Sequence, residues 1–362
     1  MAGKEALYYG DYLQLDKLLG CQQLESTRRG SDAHDEMLFI VVHQAYELWF
    51  KLILWELDSV LGIFGGAPVE EEQVGTAVAR LDRVVEIQRV LIQQVDVIES
   101  MTPLDFLEFR DYLIPASGFQ SVQFRMIENR LGLRPSDRLR FESSPYTSRL
   151  SDADAEKVRR SESEPSLHDV VERWLERTPF VSFGGFDFWR AYRKAVEEML
   201  VQDRRFIEGN ETLTPEERET QLRNLESTRE QFAALFDRSV HERLREQGHF
   251  RMSHRALTAA LLIHLYRDEP ILQLPFRLLR LLVDVDESLS YWRYRHAQMA
   301  MRMIGTKIGT GGSSGSHYLR DVALKVRVFT DLANLSTYFI PRSRRPVLPP
   351  EVEETMGFRY EG

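Results

Sequence analysis

Hydrophobic residues recur at intervals of three and four positions along most of the chain, whereas the alternating pattern of β-strands is scarce. This spacing matches the α-helical turn of roughly 3.6 residues, and it predicts an all-α fold. Two long stripes would each form one apolar face of a helix. The first, between Met37 and Val60, consists of Phe39, His43, Tyr46, Phe50, Ile53 and Leu57. The second, between Asp284 and Met303, consists of Leu289, Trp292, His296, Met299 and Met303.

Residues that start or break helices divide the rest of the chain. Ser31 or Asp32 is expected to cap the first long helix, and the segment 65–68, with two glycines and a proline, ends it. Further helices are predicted at about 74–99, from 103 onward, at 167–176, at 188–207 and from 215 to about 236. The last of these follows Thr214-Pro215-Glu216-Glu217, which combines a cap, a first-turn proline and a capping-box glutamate.

Between Leu131 and Ser166 the composition shifts to Ser, Asp, Glu, Arg and Pro, which predicts an insertion, and the runs Ser143–Pro145 and Ser161–Pro165 indicate exposed, mobile chain within it. We therefore divide the chain into three parts. Residues 1–130 form an N-terminal arm and the first part of a helical domain, and residues 131–235 form the polar insertion with accessory charged helices. Residues 236–362 form the second part of the helical domain, including a glycine-rich loop at Gly309–Gly315.

Composition and charge narrow the class of protein. The 362 residues carry a formal net charge of -9 without a basic block, so a nucleic-acid partner is not expected. Cys21 is the single cysteine, which excludes an intrachain disulfide and favours a reducing, cytoplasmic location. The most apolar segments, 38–55 and 257–266, are interrupted by charged residues or histidine, so neither provides the roughly 20 uninterrupted apolar residues of a membrane span. We expect a cytoplasmic protein without a membrane partner.

Two histidines lie on the apolar stripes. A histidine in such a position is most often a hydrogen-bonded core residue, and this interpretation stays open for both His43 and His296. His296, however, follows Trp292 by one turn and precedes two methionines. This arrangement suits a haem iron ligand, because neutral imidazole binds iron while the apolar neighbours cover the macrocycle. A zinc site is not indicated, because the sequence has neither a His-Glu-x-x-His pair nor a cysteine cluster.

Arg110 lies among aromatic residues on a predicted helix that is otherwise apolar. A partly buried guanidinium needs an anion, which could be a substrate carboxylate or a nearby protein carboxylate such as Glu108. The loop Gly309–Gly315 contains four glycines and two serines, so its backbone could approach a bound group closely. It lacks the lysine of a P-loop, and a helix cap or a flexible lid is the structural alternative.

Five regions of the chain also carry a family resemblance, and they occur in the family's order. They are Tyr9–Leu15, His34–Lys51, Phe106–Arg110 with Pro115–Ser121, Trp292–His296, and Gly309–Gly315. Together they resemble tryptophan 2,3-dioxygenases over nearly the whole chain. The resemblance implies a helical haem-dioxygenase bundle with a small helical insertion. It also implies an enzyme that cleaves the C2–C3 bond of the indole ring of L-tryptophan with O2, giving N-formylkynurenine.

The resemblance further implies how the cofactor and the indole are held. His296 would be the axial ligand of haem b, active with Fe2+, and Trp292 would belong to the cofactor pocket. His43 would lie on the opposite face of the haem and accept a hydrogen bond from the indole N–H. Phe39 and Phe106 would pack against the indole ring.

The amino-acid head group and the assembly are implied in the same way. Arg110 would bind the carboxylate of the substrate, and Thr310 would form a hydrogen bond with the head group. Some family members have tyrosine where this chain has Phe106, so Arg110 and Thr310 would carry more of that contact here. Tyr9 and Tyr12 would reach the site from a neighbouring subunit of a homotetramer, built as a dimer of dimers.

Other functions stay open. A haem protein that only senses oxygen would have no use for a carboxylate clamp, and neither would a related indole monooxygenase whose substrate lacks the amino-acid head group. A nucleotide-binding helical protein that uses the glycine loop is the least favoured alternative. Arg110 is therefore the residue that best separates these possibilities.

Overall fold

A computed structural model of the chain describes residues 6–66, 68–138, 146–183, 185–305 and 325–357. Regular structure in these ranges is helical apart from one short hairpin, which confirms the all-α prediction. The longer helices are α4 (Asp35–Gly65), α5 (Glu71–Ile98), α6 (Pro103–Arg110), α7 (Val122–Leu131), α8 (Asp152–Glu162), α9 (Leu167–Glu176), α10 (Phe188–Gly209), α11 (Pro215–Phe236), α12 (Arg238–Glu246), α13 (His254–Leu265) and α14 (Pro270–Ile304). The short helices are α1 (Tyr9–Leu13), α2 (Leu15–Leu19), α3 (Glu25–Arg28), α15 (Thr330–Ala333) and α16 (Pro350–Met356). The hairpin pairs β1 (Ser182–Phe183) with β2 (Phe186–Asp187) in antiparallel register.

Three long helices form the frame of the molecule. Helix α5 packs against both α4 and α14, and α7 and α9 also contact α4. The main core lies between these helices, where Leu57, Leu81 and Leu282 are fully buried. Burying one such leucine stabilises the fold by about 1.5–3 kcal/mol. The two helices that carry His43 and His296 are therefore held in a fixed relation by α5.

The main core takes side chains from all three predicted parts of the chain, for example Leu57, Val171 and Leu282. The boundaries at residues 130 and 235 stay a prediction.

Local signals located several helix ends correctly, and one predicted helix start was wrong. Thr214 caps α11 with a capping box, as predicted. The predicted cap of α4 by Ser31 or Asp32 is wrong, because the helix begins at Asp35 without a side-chain cap hydrogen bond. Asp35 and Glu36 in its first turn stabilise the start of the helix instead, because negative charge interacts favourably with the positive end of the helix dipole. Helix α14 includes the predicted stripe between Asp284 and Met303, but it begins earlier, at Pro270, and accommodates Pro275 inside the helix.

The polar insertion is partly helical. Its described part includes α8, which packs against α7 through the buried Ala155, Val158 and Ser161. The amide nitrogen of Asn129 on α7 donates to Ser161 Oγ at 2.7 Å and to the Val158 carbonyl at 3.3 Å. The prediction of exposed chain is therefore wrong for Ser161, which is only 4% exposed, because the buried face of this charged helix packs against α7.

Helix α4 is long and apolar enough to cross a membrane by length and composition alone. It nevertheless buries Glu56, whose carboxylate lies 2.8 Å from Arg83 and 3.4 Å from Arg80 of α5. Phe50 and Val60 of the same helix belong to the main core. One face of α4 therefore packs as a core helix does.

Candidate active site

A second, smaller core forms where α4, α6 and α14 meet. Val42, Phe106, Phe109 and Met303 are buried there, and Phe39 is partly buried against them. These residues come from positions that are far apart in the chain. The cluster brings both apolar stripes of the sequence to one place.

Aromatic rings line the α4 and α6 sides of this cluster. The Phe39 ring centroid lies 4.1 Å from that of His43, 5.7 Å from that of Phe106 and 5.6 Å from that of Phe109. Phe106 and Phe109 meet edge to face at 5.4 Å. Such an arrangement offers flat and edge-on contacts to an aromatic ligand.

The hydrogen bond of His43 fixes its tautomer. Its Nδ1 lies 2.7 Å from the carbonyl oxygen of Phe39. A carbonyl oxygen can only accept, so Nδ1 carries the proton of the neutral ring and Nε2 is left as an acceptor. Burial lowers the pKa of His43, against the opposing effects of the Phe39 hydrogen bond and of Glu47. His43 is therefore a neutral hydrogen-bond acceptor near pH 7.

His296 shares this environment. Its ring stacks on Trp292, one turn earlier on α14, with the centroids 5.4 Å apart and the planes inclined by 16°. Burial, together with a smaller electrostatic effect of the neighbouring His43 imidazole, lowers the pKa of His296 to about 4. Both imidazoles keep part of their surface uncovered by protein atoms, although burial dominates their pKa values. Both imidazoles are therefore neutral near pH 7 and only partly covered by the protein.

Trp292 connects His296 to a larger aromatic group. Its ring lies 5.8 Å from Tyr46, 6.0 Å from Phe50 and 5.1 Å from Phe124. The hydroxyl of Tyr46 donates to the Leu91 carbonyl of α5 at 2.9 Å. The Trp292 ring, on which His296 stacks, is therefore packed against both α4 and α7.

Arg110 ends α6, four positions after Phe106, so the two side chains project from the same side of the helix. Its side chain is half-buried. A cationic group thus borders the aromatic lining, at the end of the helix that supplies two of its rings.

Two further predicted contributions have different outcomes. Tyr9 and Tyr12, on α1, are 70% and 69% exposed and do not belong to the cluster in the single chain. Thr310 and the loop Gly309–Gly315 lie outside the described residues. Sequence reasoning in turn missed Phe109 and Phe124. Phe109 could have been found from its place three positions after Phe106, whereas nothing in the sequence marks the contact between Phe124 and Trp292.

Comparison with known proteins gives matches along nearly the whole chain. The profile of the family described as Tryptophan 2,3-dioxygenase matches residues 1–339. The chain is 53% identical over 354 residues to a tryptophan 2,3-dioxygenase of Bdellovibrio bacteriovorus, covering 98% of this chain and 99% of that protein. It is 47% identical to one of Alteromonas mediterranea, covering 98% of both chains. It is 46% identical to one of Mus musculus, covering 98% of this chain and 87% of that protein. The matched ranges include the helices that supply the site.

Proposed function

This chain belongs to the tryptophan 2,3-dioxygenase family, and from that premise we propose that it cleaves the C2–C3 bond of the indole ring of L-tryptophan with O2. The product is N-formylkynurenine, which retains both oxygen atoms. The enzyme depends on haem b in the Fe2+ state.

The residues around His296 fit a haem group. Neutral imidazole is the form that binds iron, and the low pKa of His296 keeps it neutral at physiological pH. Trp292 and the partly buried Met299 add apolar surface on the same helix. His296 would hold the iron, and the bound haem would supply the activation of O2.

The role proposed for His43 rests on which of its ring nitrogens carries the proton. Because Nδ1 is engaged by the Phe39 carbonyl, Nε2 accepts the hydrogen bond of the indole N–H. This contact orients the indole ring, while Phe39 and Phe106 pack against it. A protonated His43 would present a donor at both ring nitrogens and could not hold the indole N–H.

Arg110 binds the carboxylate of the amino acid, because its guanidinium can donate two parallel charge-assisted hydrogen bonds to the two carboxylate oxygens. Thr310 forms a hydrogen bond with the head group. Phe106 has no hydroxyl to assist, so these two residues carry the contact. Water is kept from the reacting ring by the apolar lining of the second core.

The enzyme acts as a cytoplasmic homotetramer, a dimer of dimers, without a nucleic-acid or membrane partner. Exposed apolar side chains support the assembly. Val41, Leu48 and Trp55 recur every seven residues and so share one face of α4, and Trp55 is 74% exposed. Burying this face and the tyrosines of α1 against further copies would remove apolar surface from water. Light scattering should give four times the mass of the chain.

Purified protein supplied with haemin, desalted, reduced without oxygen and then given O2 and L-tryptophan tests the proposal. We expect the absorbance of N-formylkynurenine to appear, with both product oxygens labelled when 18O2 is used. A colourless protein that leaves tryptophan intact refutes the proposal. One labelled oxygen would indicate a monooxygenase, and a stable oxygen complex without product would indicate a sensor.

A further inference from the structure

The buried carboxylate of Glu128, on α7, forms ion pairs with three arginines. Glu128 is only 2% exposed, and its carboxylate pairs with Arg125 at 3.0 Å, with Arg293 of α14 at 2.7 Å, and with Arg138. Burial by itself raises the pKa of Glu128, but the three guanidinium groups hold it far below the ordinary value. The carboxylate is therefore charged, and it links α7 to α14.

Two of these arginines also contact the Phe124 ring. The guanidinium carbons of Arg125 and Arg293 lie 5.9 and 5.8 Å from its centroid. The same ring packs against Trp292 at 5.1 Å, and Trp292 stacks on His296. A continuous series of contacts thus runs from the Glu128 carboxylate to the imidazole of His296.

Arg293 also anchors the chain that follows the glycine-rich segment. It donates to the Val326 carbonyl at 3.2 Å. Two turns earlier on α14, the buried Asp286 accepts from the backbone N–H groups of Val328 and Phe329 at 3.0–3.1 Å. Residues 326–329 are therefore fastened to the helix that carries His296.

Stability alone does not account for this network. Buried ion pairs are costly to desolvate, and well-packed apolar residues often stabilise a fold as well or better. Ionic and bidentate contacts instead add geometric specificity, because they are satisfied in only one relative orientation of the helices. The network therefore restricts the rotation and position of α14 relative to α7.

We propose that Glu128 and Arg293 are positioning residues for His296, acting through Phe124 and Trp292 to fix the orientation of its imidazole toward the haem. This inference rests on the proposed haem function. Groups that hydrogen-bond a metal ligand directly change metal affinity by about 10- to 100-fold when removed, and for residues that act through two intervening rings we expect the lower end of this range.

Arg293→Met tests the inference, because Glu128 keeps its two other arginines in this variant. We expect the dissociation constant for haemin, from titration of the Soret band, to rise by about tenfold or more. The g-values of the ferric protein in electron paramagnetic resonance should shift, because they report how the axial imidazole is oriented.

Arg295→Met is the matched control. It removes the same charge beside His296, but Arg295 pairs with Asp96 and Glu99 on α5, outside the network. Its haemin affinity and g-values should equal those of the parent protein.

Phe124→Leu keeps every ion pair and removes the ring between Arg293 and Trp292. We expect it to shift the g-values in the same direction as Arg293→Met, and it serves as the test should Arg293→Met not fold. If the folded variants bind haemin with parental affinity and g-values, and only melt at lower temperature, the positioning role is wrong. If the parent protein itself binds no haemin, the proposed function fails instead.

Discussion

The hydrogen bond between His43 and the indole N–H can be tested by removing either of its partners. The substrate analogue that replaces the indole N–H with sulfur has no donor to offer. The variant His43→Ala has no acceptor. Because Nδ1 of His43 is committed to the Phe39 carbonyl, the analogue leaves Nε2 without a partner inside the protein.

The expected magnitude follows from the burial of His43. Leaving a buried acceptor unsatisfied costs about 1–3 kcal/mol. Since about 1.4 kcal/mol corresponds to a factor of ten, the parent enzyme should prefer L-tryptophan over the analogue by about 5- to 150-fold in kcat/KM. In His43→Ala the acceptor is gone, so the preference should fall below about twofold.

The assay is steady-state turnover of both substrates by the parent enzyme and the variants, after haem content has been matched by absorbance. His264→Ala is the control, because His264 makes the same contact with a backbone carbonyl, at 2.8 Å, but lies against Phe276 and Phe339. It should discriminate as the parent does. An undiminished preference in His43→Ala would refute the reasoning, since the discrimination would then come from another residue.

Three further predictions concern single side chains. His296→Ala should lose haem on desalting, whereas His43→Ala should keep it, as read from the Soret band; equal retention in both would contradict the ligand assignment. Arg110→Ala should raise KM for L-tryptophan by about ten- to a hundredfold, because hydrogen bonds to a charged group contribute about 1.5–3 kcal/mol, and an unchanged KM would remove Arg110 from the site. His168 is fully buried with no hydrogen-bond partner for its ring nitrogens among the described residues, and burial lowers its pKa to about 3. The contribution of His168 to the free energy of unfolding is complete above about pH 6.5. It falls by about 2 kcal/mol at pH 5, because the unfolded chain binds a proton there that the folded chain does not. Urea unfolding of the haem-free chain should show a loss at pH 5 that is smaller by about 2 kcal/mol in His168→Leu, since His43 and His296, whose pKa values are also lowered, still contribute there; the same pH dependence in both proteins would remove His168 from this role.

Much of the helical architecture could be predicted from the sequence, because helix periodicity and caps are local properties. The α9 bounds, Leu167–Glu176, and the capping box of α11 were predicted correctly from their own residues. The sequence marked only the stripe between Asp284 and Met303, whereas α14 begins at Pro270 and continues through Pro275. The packing of helix α8 was not predicted, because its few apolar residues become buried only through contact with α7.

For the candidate site, the sequence by itself determined which side chains are available: imidazoles and rings at helical spacing on α4 and α14, and the motifs of a family. It could not determine that the two stripes meet, nor that the Phe39 carbonyl decides which nitrogen of His43 is protonated. The pair formed by Glu128 and Arg293 spans 165 positions of the chain and has no sequence signature. Contacts of this kind depend on how α5 and α7 bring distant segments together, and only the tertiary packing decides that.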